Sequence, residues 1–104
     1  MRFSYAALLL ILLPGQLLAD GGPPHLVQAL CQNCHGVDGV AVLPGAANLS
    51  GQQREYLIEQ LRAFRSGKRQ NPQMTVIAKS LTEQDIEDVS LWYSSIKVTV
   101  EKPK

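Results

Sequence analysis

Cys31-Gln32-Asn33-Cys34-His35 places both cysteines of this 104-residue chain, and one of its two histidines, within five consecutive positions. The two thiols are three residues apart, close to one helical turn, so they share a face, and the imidazole follows immediately. In this order C-x-x-C-H is the form of a covalent haem attachment site. Each thiol can add to one vinyl group of a haem while the histidine presents a ring nitrogen to the iron. A fold built on this element must supply one helical turn here and a pocket beside it.

The surrounding sequence supplies helices. No stretch shows the sustained alternation of a strand, and several show apolar residues at helical spacing, so the expected class is all-α. Pro23-Pro24 can open a first helix, since proline suits the first turn, with Leu26, Val27 and Leu30 on one stripe leading into the cysteines. Residues 36–51 are rich in Gly, Ala and Pro and read as a loop that wraps something else. Ser50 and Gln53 have capping-box spacing for a central helix in which Tyr56, Leu57, Leu61 and Phe64 lie on one side and Gly67 marks the end. Pro72 argues against helix just before Met74, and a short helical piece is expected from Thr75 to about Lys79. The last helix begins at Thr82, with Asp85 at capping-box spacing, Leu81 able to staple onto Ile86, and Val89, Tyr93 and Ile96 continuing the buried side. Val98-Thr99-Val100 is the one strand-like piece.

The amino terminus reads as an address. Arg2, the apolar run Ala6 to Leu13, the break at Pro14-Gly15 and the small residue Ala19 follow the order of a signal peptide covering residues 1–19. Residues 20–104 then form a single domain, exported to the periplasm. The apolar run falls short of the roughly 20 residues that a membrane span needs. An N-terminal anchor or a buried helix is the competing reading of this segment, and Leu17 stands where signal peptidases prefer a small residue. Removal of Arg2 leaves nine basic against nine acidic side chains. Such a balance gives no footprint for nucleic acid. A domain of this size has a small core and commonly needs a disulfide, a metal or a cofactor as a staple.

Other uses of the cysteine pair fit less well. A thioredoxin-like redox site wants C-x-x-C beside βαβ elements, which the pattern lacks. A disulfide would leave His35 without a role. A zinc site would need Cys31, Cys34, His35 and His25 to converge without the usual second-half spacing. Met74, the one methionine besides Met1, offers a thioether of the kind that binds haem iron as a sixth ligand. Its alternative is core filler, and His25 is a weaker candidate because it shares the short helix of the attachment site.

Residues 31–36 (CQNCHG), 48–75 (NLSGQQREYLIEQLRAFRSGKRQNPQMT) and 81–96 (LTEQDIEDVSLWYSSI) together resemble class I c-type cytochromes, in particular the single-haem domains of bacterial periplasmic members and the repeated halves of their di-haem relatives. The resemblance implies a small cytochrome c fold of short helices wrapped around one covalently bound haem c. Cys31 and Cys34 match the thioether-forming cysteines, His35 the proximal iron ligand and Met74 the distal one. Two departures stand out. The family usually places proline before Asn-Leu-x-Gly, where its carbonyl accepts from the proximal imidazole, whereas Ala47 precedes Asn48-Leu49-Ser50-Gly51 here. Ala47 is expected to supply that carbonyl, with Pro44 as the alternative source. In the first helix, Pro23 and Val27 stand where the family often has glycine and an aromatic residue, so Val27 and Leu30 are expected to meet Tyr93 and its neighbours over a smaller area. Trp92 is expected at the helix crossing or partly exposed.

A haem closed on both sides carries one electron and leaves no position for a substrate. The expected function is therefore electron transfer without catalysis. Redox partner proteins such as an oxidase, a reductase or a dehydrogenase would meet a monomer or one subunit of a small complex. The alternatives are a haem-bearing subunit of an oxidoreductase complex and, if the iron were open, a gas-binding or peroxidatic haem protein. The basic run Arg54 to Arg69 and the acidic run Glu83 to Asp88 read as solvated faces.

Overall fold

The computed structural model describes Met1 and residues 21–104. The expected signal peptide and its cleavage site fall within residues 2–20, outside the described residues. Four α-helices follow one another: α1 (Gln32–His35), α2 (Arg54–Ser66), α3 (Met74–Lys79) and α4 (Glu83–Ser94), with a π-helical segment at Val27–Cys31 running directly into α1. The described residues contain no strand, and residues 98–100 are exposed and unpaired. No helix among them is long and apolar enough to cross a membrane.

The first helix starts at His25, straight after Pro24, whose carbonyl accepts from the Gln28 N–H at 3.2 Å. Its wide turn is unannounced by the residue pattern. The Gln32 N–H reaches the Val27 carbonyl, five residues back, which is the bonding of a π-turn. Side chains brace it: the Gln32 amide donates to the Gln28 carbonyl at 2.5 Å and the Asn33 amide to the Ala29 carbonyl at 3.5 Å.

α2 begins later than its capping pattern suggests. Ser50 caps nothing: its hydroxyl donates to the Asp38 carbonyl at 2.6 Å, and the neighbouring Gly51 N–H donates to the Tyr93 carbonyl at 2.9 Å. Both groups are drawn into long-range ties, so helix starts only at Arg54, with Gln53 in extended conformation at the cap. Its far end is as expected. Gly67 adopts φ +81°, the left-handed conformation that glycine takes at a helix terminus without a Cβ penalty. α4 follows its local grammar in full: Thr82 Oγ1 accepts from the Asp85 N–H at 3.1 Å and Asp85 Oδ2 accepts from the Thr82 N–H at 2.9 Å.

α2 packs against both α3 and α4. On one side Ile58 and Phe64 of α2 meet Ala78, Leu81 and Ile86, which places Leu81 and Ile86 together as a staple should. On the other, Val27, Leu57, Val89 and Tyr93 form a second buried cluster. Burial of Val27 and of Ile86, each with no exposed surface, contributes about 1.5–3 kcal/mol per side chain. Val27 therefore meets Tyr93 as expected, whereas Leu30 is turned to a cavity and is absent from this cluster. Only nine apolar side chains among the described residues are buried, a core that leaves stabilisation to be gained by filling that cavity. At the α2–α4 seam the basic and acidic runs neutralise each other through Arg54–Glu87, Arg62–Glu83 and Arg65–Glu83.

Candidate functional site

Cys31, Cys34, His35 and Met74 line one cavity of about 460 Å³. The first three come from the π-turn and α1, and Met74 from the start of α3. Met74 thus opens a helix rather than lying in a loop. Asn71 fixes it there, because Asn71 Oδ1 accepts from the backbone N–H groups of Gln73 and Met74 at 3.0 and 2.9 Å. The walls between them are largely apolar, with Leu30, Leu49, Leu57, Leu61, Phe64 and Ile77 in the lining.

His35 Nδ1 lies 2.7 Å from the Ala47 carbonyl oxygen. A carbonyl only accepts, so Nδ1 carries the proton and Nε2 keeps its lone pair. The loop that brings Ala47 into place is tied at several points. The Val42 N–H donates to the Cys34 carbonyl at 2.9 Å and the Leu49 N–H to the Gly39 carbonyl at 2.7 Å, while Asn48 Oδ1 accepts from the Ala41 N–H at 2.8 Å. Gly36 turns the chain away from α1 at φ +73°, and a Cβ there would sit 2.4 Å from the Val40 carbonyl oxygen. Glycine is required immediately after His35.

Two adjacent aromatic residues of α4 hold the same corner. The buried Tyr93 hydroxyl donates to the Gly36 carbonyl at 2.8 Å, and the half-buried Trp92 indole N–H donates to the Val37 carbonyl at 2.7 Å. The sequence puts Tyr93 on the buried side and Trp92 at the helix crossing or partly exposed, and it names a partner for neither polar group. Their acceptors are backbone carbonyls more than fifty residues away, which no side-chain pattern marks.

The thiols are free, and burial pushes Cys31 up to about 11. At neutral pH it is a thiol, unlike the lowered cysteines of disulfide oxidoreductases. Burial likewise pushes the Tyr93 phenol above its usual range. His25 is exposed and outside the cavity lining. Among the described residues no three His, Cys, Asp or Glu side chains converge as a metal cluster, so the four-ligand zinc arrangement has no geometry behind it. An apolar slot with two free thiols, an oriented imidazole and a thioether fits a flat, apolar, iron-bearing macrocycle, and it fits a charged or sugar-like ligand poorly.

The Cytochrome c family profile matches residues 22–97, and the chain belongs to that family. Membership brings a covalently bound haem c, with electron transfer as the chemistry of the domain. Among curated relatives, cytochrome c4 of Pseudomonas aeruginosa is 36% identical over 81 residues, covering 78% of this chain and 40% of that protein. Cytochrome c-554(548) of Halomonas halodenitrificans is 40% identical over 68 residues, covering 62% of this chain and 82% of that one. A protein of Thiomonas intermedia named thiosulfate dehydrogenase electron acceptor is 36% identical over 76 residues, 72% of this chain and 34% of its own length. The solved cytochrome c4 structure from Acidithiobacillus ferrooxidans superposes with a TM-score of 0.61 at 34% identity, over 76% of this chain and 43% of that one. The chain thus spans about two fifths of the cytochrome c4 relatives and most of the shorter one.

Proposed function

We propose that one haem c is held in this cavity by thioethers from Cys31 and Cys34, with His35 and Met74 as the axial ligands. The chain then carries single electrons between redox partner proteins in the periplasm, after cleavage of residues 1–19. The observation that supports this most is the lining of one apolar cavity by both thiols, a tautomer-fixed His35 and Met74.

When bound, haem supplies a one-electron couple at its iron. The chain's residues set the conditions for it. Ala47 fixes the ring of His35 and raises the basicity of Nε2. The Met74 thioether is a soft, weak donor that favours the reduced metal and so a raised potential. Leucine and phenylalanine walls keep water from the metal. With His35 and Met74 both holding the iron, the protein would leave a substrate no place to bind, and no side chain is needed as nucleophile or general acid. A carrier of this kind meets its partners through small, short-lived interfaces.

A second reading is favoured by the relative named as an electron acceptor of thiosulfate dehydrogenase. In it the chain serves one dehydrogenase as a bound subunit. The size of the purified haem species separates the two: a monomer supports the free carrier, and a stoichiometric second chain supports the subunit.

Absorption spectra of the oxidised and reduced protein, taken with an intact mass after denaturation, test the main proposal. One haem retained covalently, with a low-spin spectrum in both states, is the expected result. Haem released on denaturation, or a five-coordinate spectrum, would refute it.

A further inference from the structure

Asn71 commits its amide oxygen and both of its backbone polar groups to the short stretch of chain that delivers Met74. Its Oδ1 accepts from the N–H groups of Gln73 and Met74 at 3.0 and 2.9 Å, the second and third residues after it, as a helix-capping side chain does. Its own N–H donates to Thr75 Oγ1 at 2.9 Å, and its carbonyl accepts from the Thr75 N–H at 3.0 Å. Asn71 and Thr75 therefore bond to each other in both directions and close a ring around Pro72, Gln73 and Met74. Within it Pro72 adds a fixed φ and has no N–H to satisfy.

The ring is continuous with the core. The Ile77 N–H donates to the Gln73 carbonyl at 3.0 Å, which joins the turn to α3, and Ala78 of α3 is fully buried in the cluster with Ile58 and Phe64 against which Met74 packs. Met74 is held from the side of Asn71 and Thr75 and from the side of the core. Asn71, Gln73 and Met74 line the cavity, whereas Thr75 stands outside the lining. A thioether needs this support. Methionine turns about three side-chain bonds, and its sulfur favours the reduced iron, so the oxidised iron is the state in which the bond itself holds the chain least.

We propose that Asn71 and Thr75 are positioning residues that keep Met74 on the oxidised iron, so that release of the thioether requires this hydrogen-bonded ring to loosen. The proposal rests on the reading of Met74 as the distal ligand. Its consequence for a carrier is that both oxidation states keep the same ligands, and an electron enters or leaves without a ligand departing.

The rate of imidazole binding to the oxidised, haem-loaded protein tests this, because an added ligand enters only when Met74 leaves. It is compared in the parent, Asn71→Ala, Asn71→Ser and Thr75→Val, with the far-red charge-transfer band of methionine-bound ferric haem and the reduction potential measured on the same samples. Asn71→Ala and Thr75→Val are expected to bind about 2- to 30-fold faster, the equilibrium equivalent of a lost side-chain cap. Their band should weaken and their potential fall, because an opened form adds to the oxidised population. Asn71→Ser keeps an uncharged acceptor and should recover most of the parent's rate. Parent-like rate, band and potential in Asn71→Ala overturn the proposal. So does a change in Asn71→Ala that Thr75→Val lacks, since the effect would then come from an amide lost from the cavity, and so does a Ser variant as fast as the Ala one. Thr75→Val leaves the lining intact and gives a readout even where an Asn71 variant fails to mature. A parent that lacks the band and binds imidazole at once would instead overturn the reading of Met74 as ligand, and this proposal with it.

Discussion

His35 Nδ1 stands 2.7 Å from the Ala47 carbonyl oxygen, so the bond that proline supplies elsewhere in the family is made here by a residue free to rotate about φ. The Ala47 N–H makes no backbone hydrogen bond, and proline at this position would sacrifice none. Ala47→Pro is expected to raise stability by about 0.4–1 kcal/mol through a less flexible unfolded chain, with haem content unchanged. Denaturant unfolding of the haem-loaded protein checks this. A loss of stability would mean that the Ala47 backbone lies outside the range proline allows.

Tyr93→Phe removes the shorter of two bonds to the Gly36 carbonyl, which also accepts from the Gly39 N–H at 3.3 Å, a loss of about 0.5–1.5 kcal/mol. Trp92→Phe, at a wetter site, should cost less. Because Gly36 and Val37 are consecutive, the two losses should be non-additive in a double-mutant cycle. Strict additivity would show that the two tethers act independently.

Ser50 and Thr82 carry the same kind of capping pattern and behave differently. Thr82→Ala should cost about 0.5–2 kcal/mol and speed amide exchange in the first turn of α4. Ser50→Ala should instead speed exchange in residues 36–51, where its bond to Asp38 closes the loop, and leave the first turn of α2 untouched. Faster exchange at Glu55 to Leu57 after Ser50→Ala would contradict this assignment.

This contrast shows what the residue pattern can and cannot reveal. Thr82 and Asp85 bond to each other across three residues, so the pattern contains the whole interaction. Ser50 has an equally suitable local partner in Gln53, but Asp38 and Tyr93 claim its neighbourhood through bonds that depend on the completed fold. Cys31, Cys34 and His35 stand out by rare side chains at a fixed spacing and Met74 as the one methionine besides Met1, and the structure brings all four to one cavity. Ala47 was legible through the family's loop pattern. Tyr93, Trp92 and Asn71 act through backbone carbonyls or backbone N–H groups, neither of which leaves a mark in the sequence. The π-turn at Val27–Cys31 belongs to the same group.

Hydrogen bonds from Arg62 and Arg65 hold the Glu83 carboxyl below its ordinary value of 4.5. The stability that this pairing contributes is present in full above the unfolded value and is lost as pH falls below about 4.5. Glu83→Gln should therefore differ from the parent at neutral pH and converge with it under acid, with the difference also shrinking in high salt. Glu83 and Arg62 are about half exposed and Arg65 is partly exposed, so solvent screening should keep the effect small. A difference that grows as pH falls would have the wrong sign for this pairing.

The account depends most on a closed iron, and the rate of carbon monoxide binding to the reduced protein, parent against Met74→Ala, addresses that directly. Met74 lines the cavity shared with His35, and the attachment by Cys31, Cys34 and His35 should survive its loss. The parent should bind slowly and to a small extent. Met74→Ala should keep its haem, bind quickly and show a lower potential, because the weak donor that stabilises the reduced iron is gone. If the variant binds as slowly as the parent at the same potential and with the same spectrum, Met74 is core filler and the closed-carrier account fails.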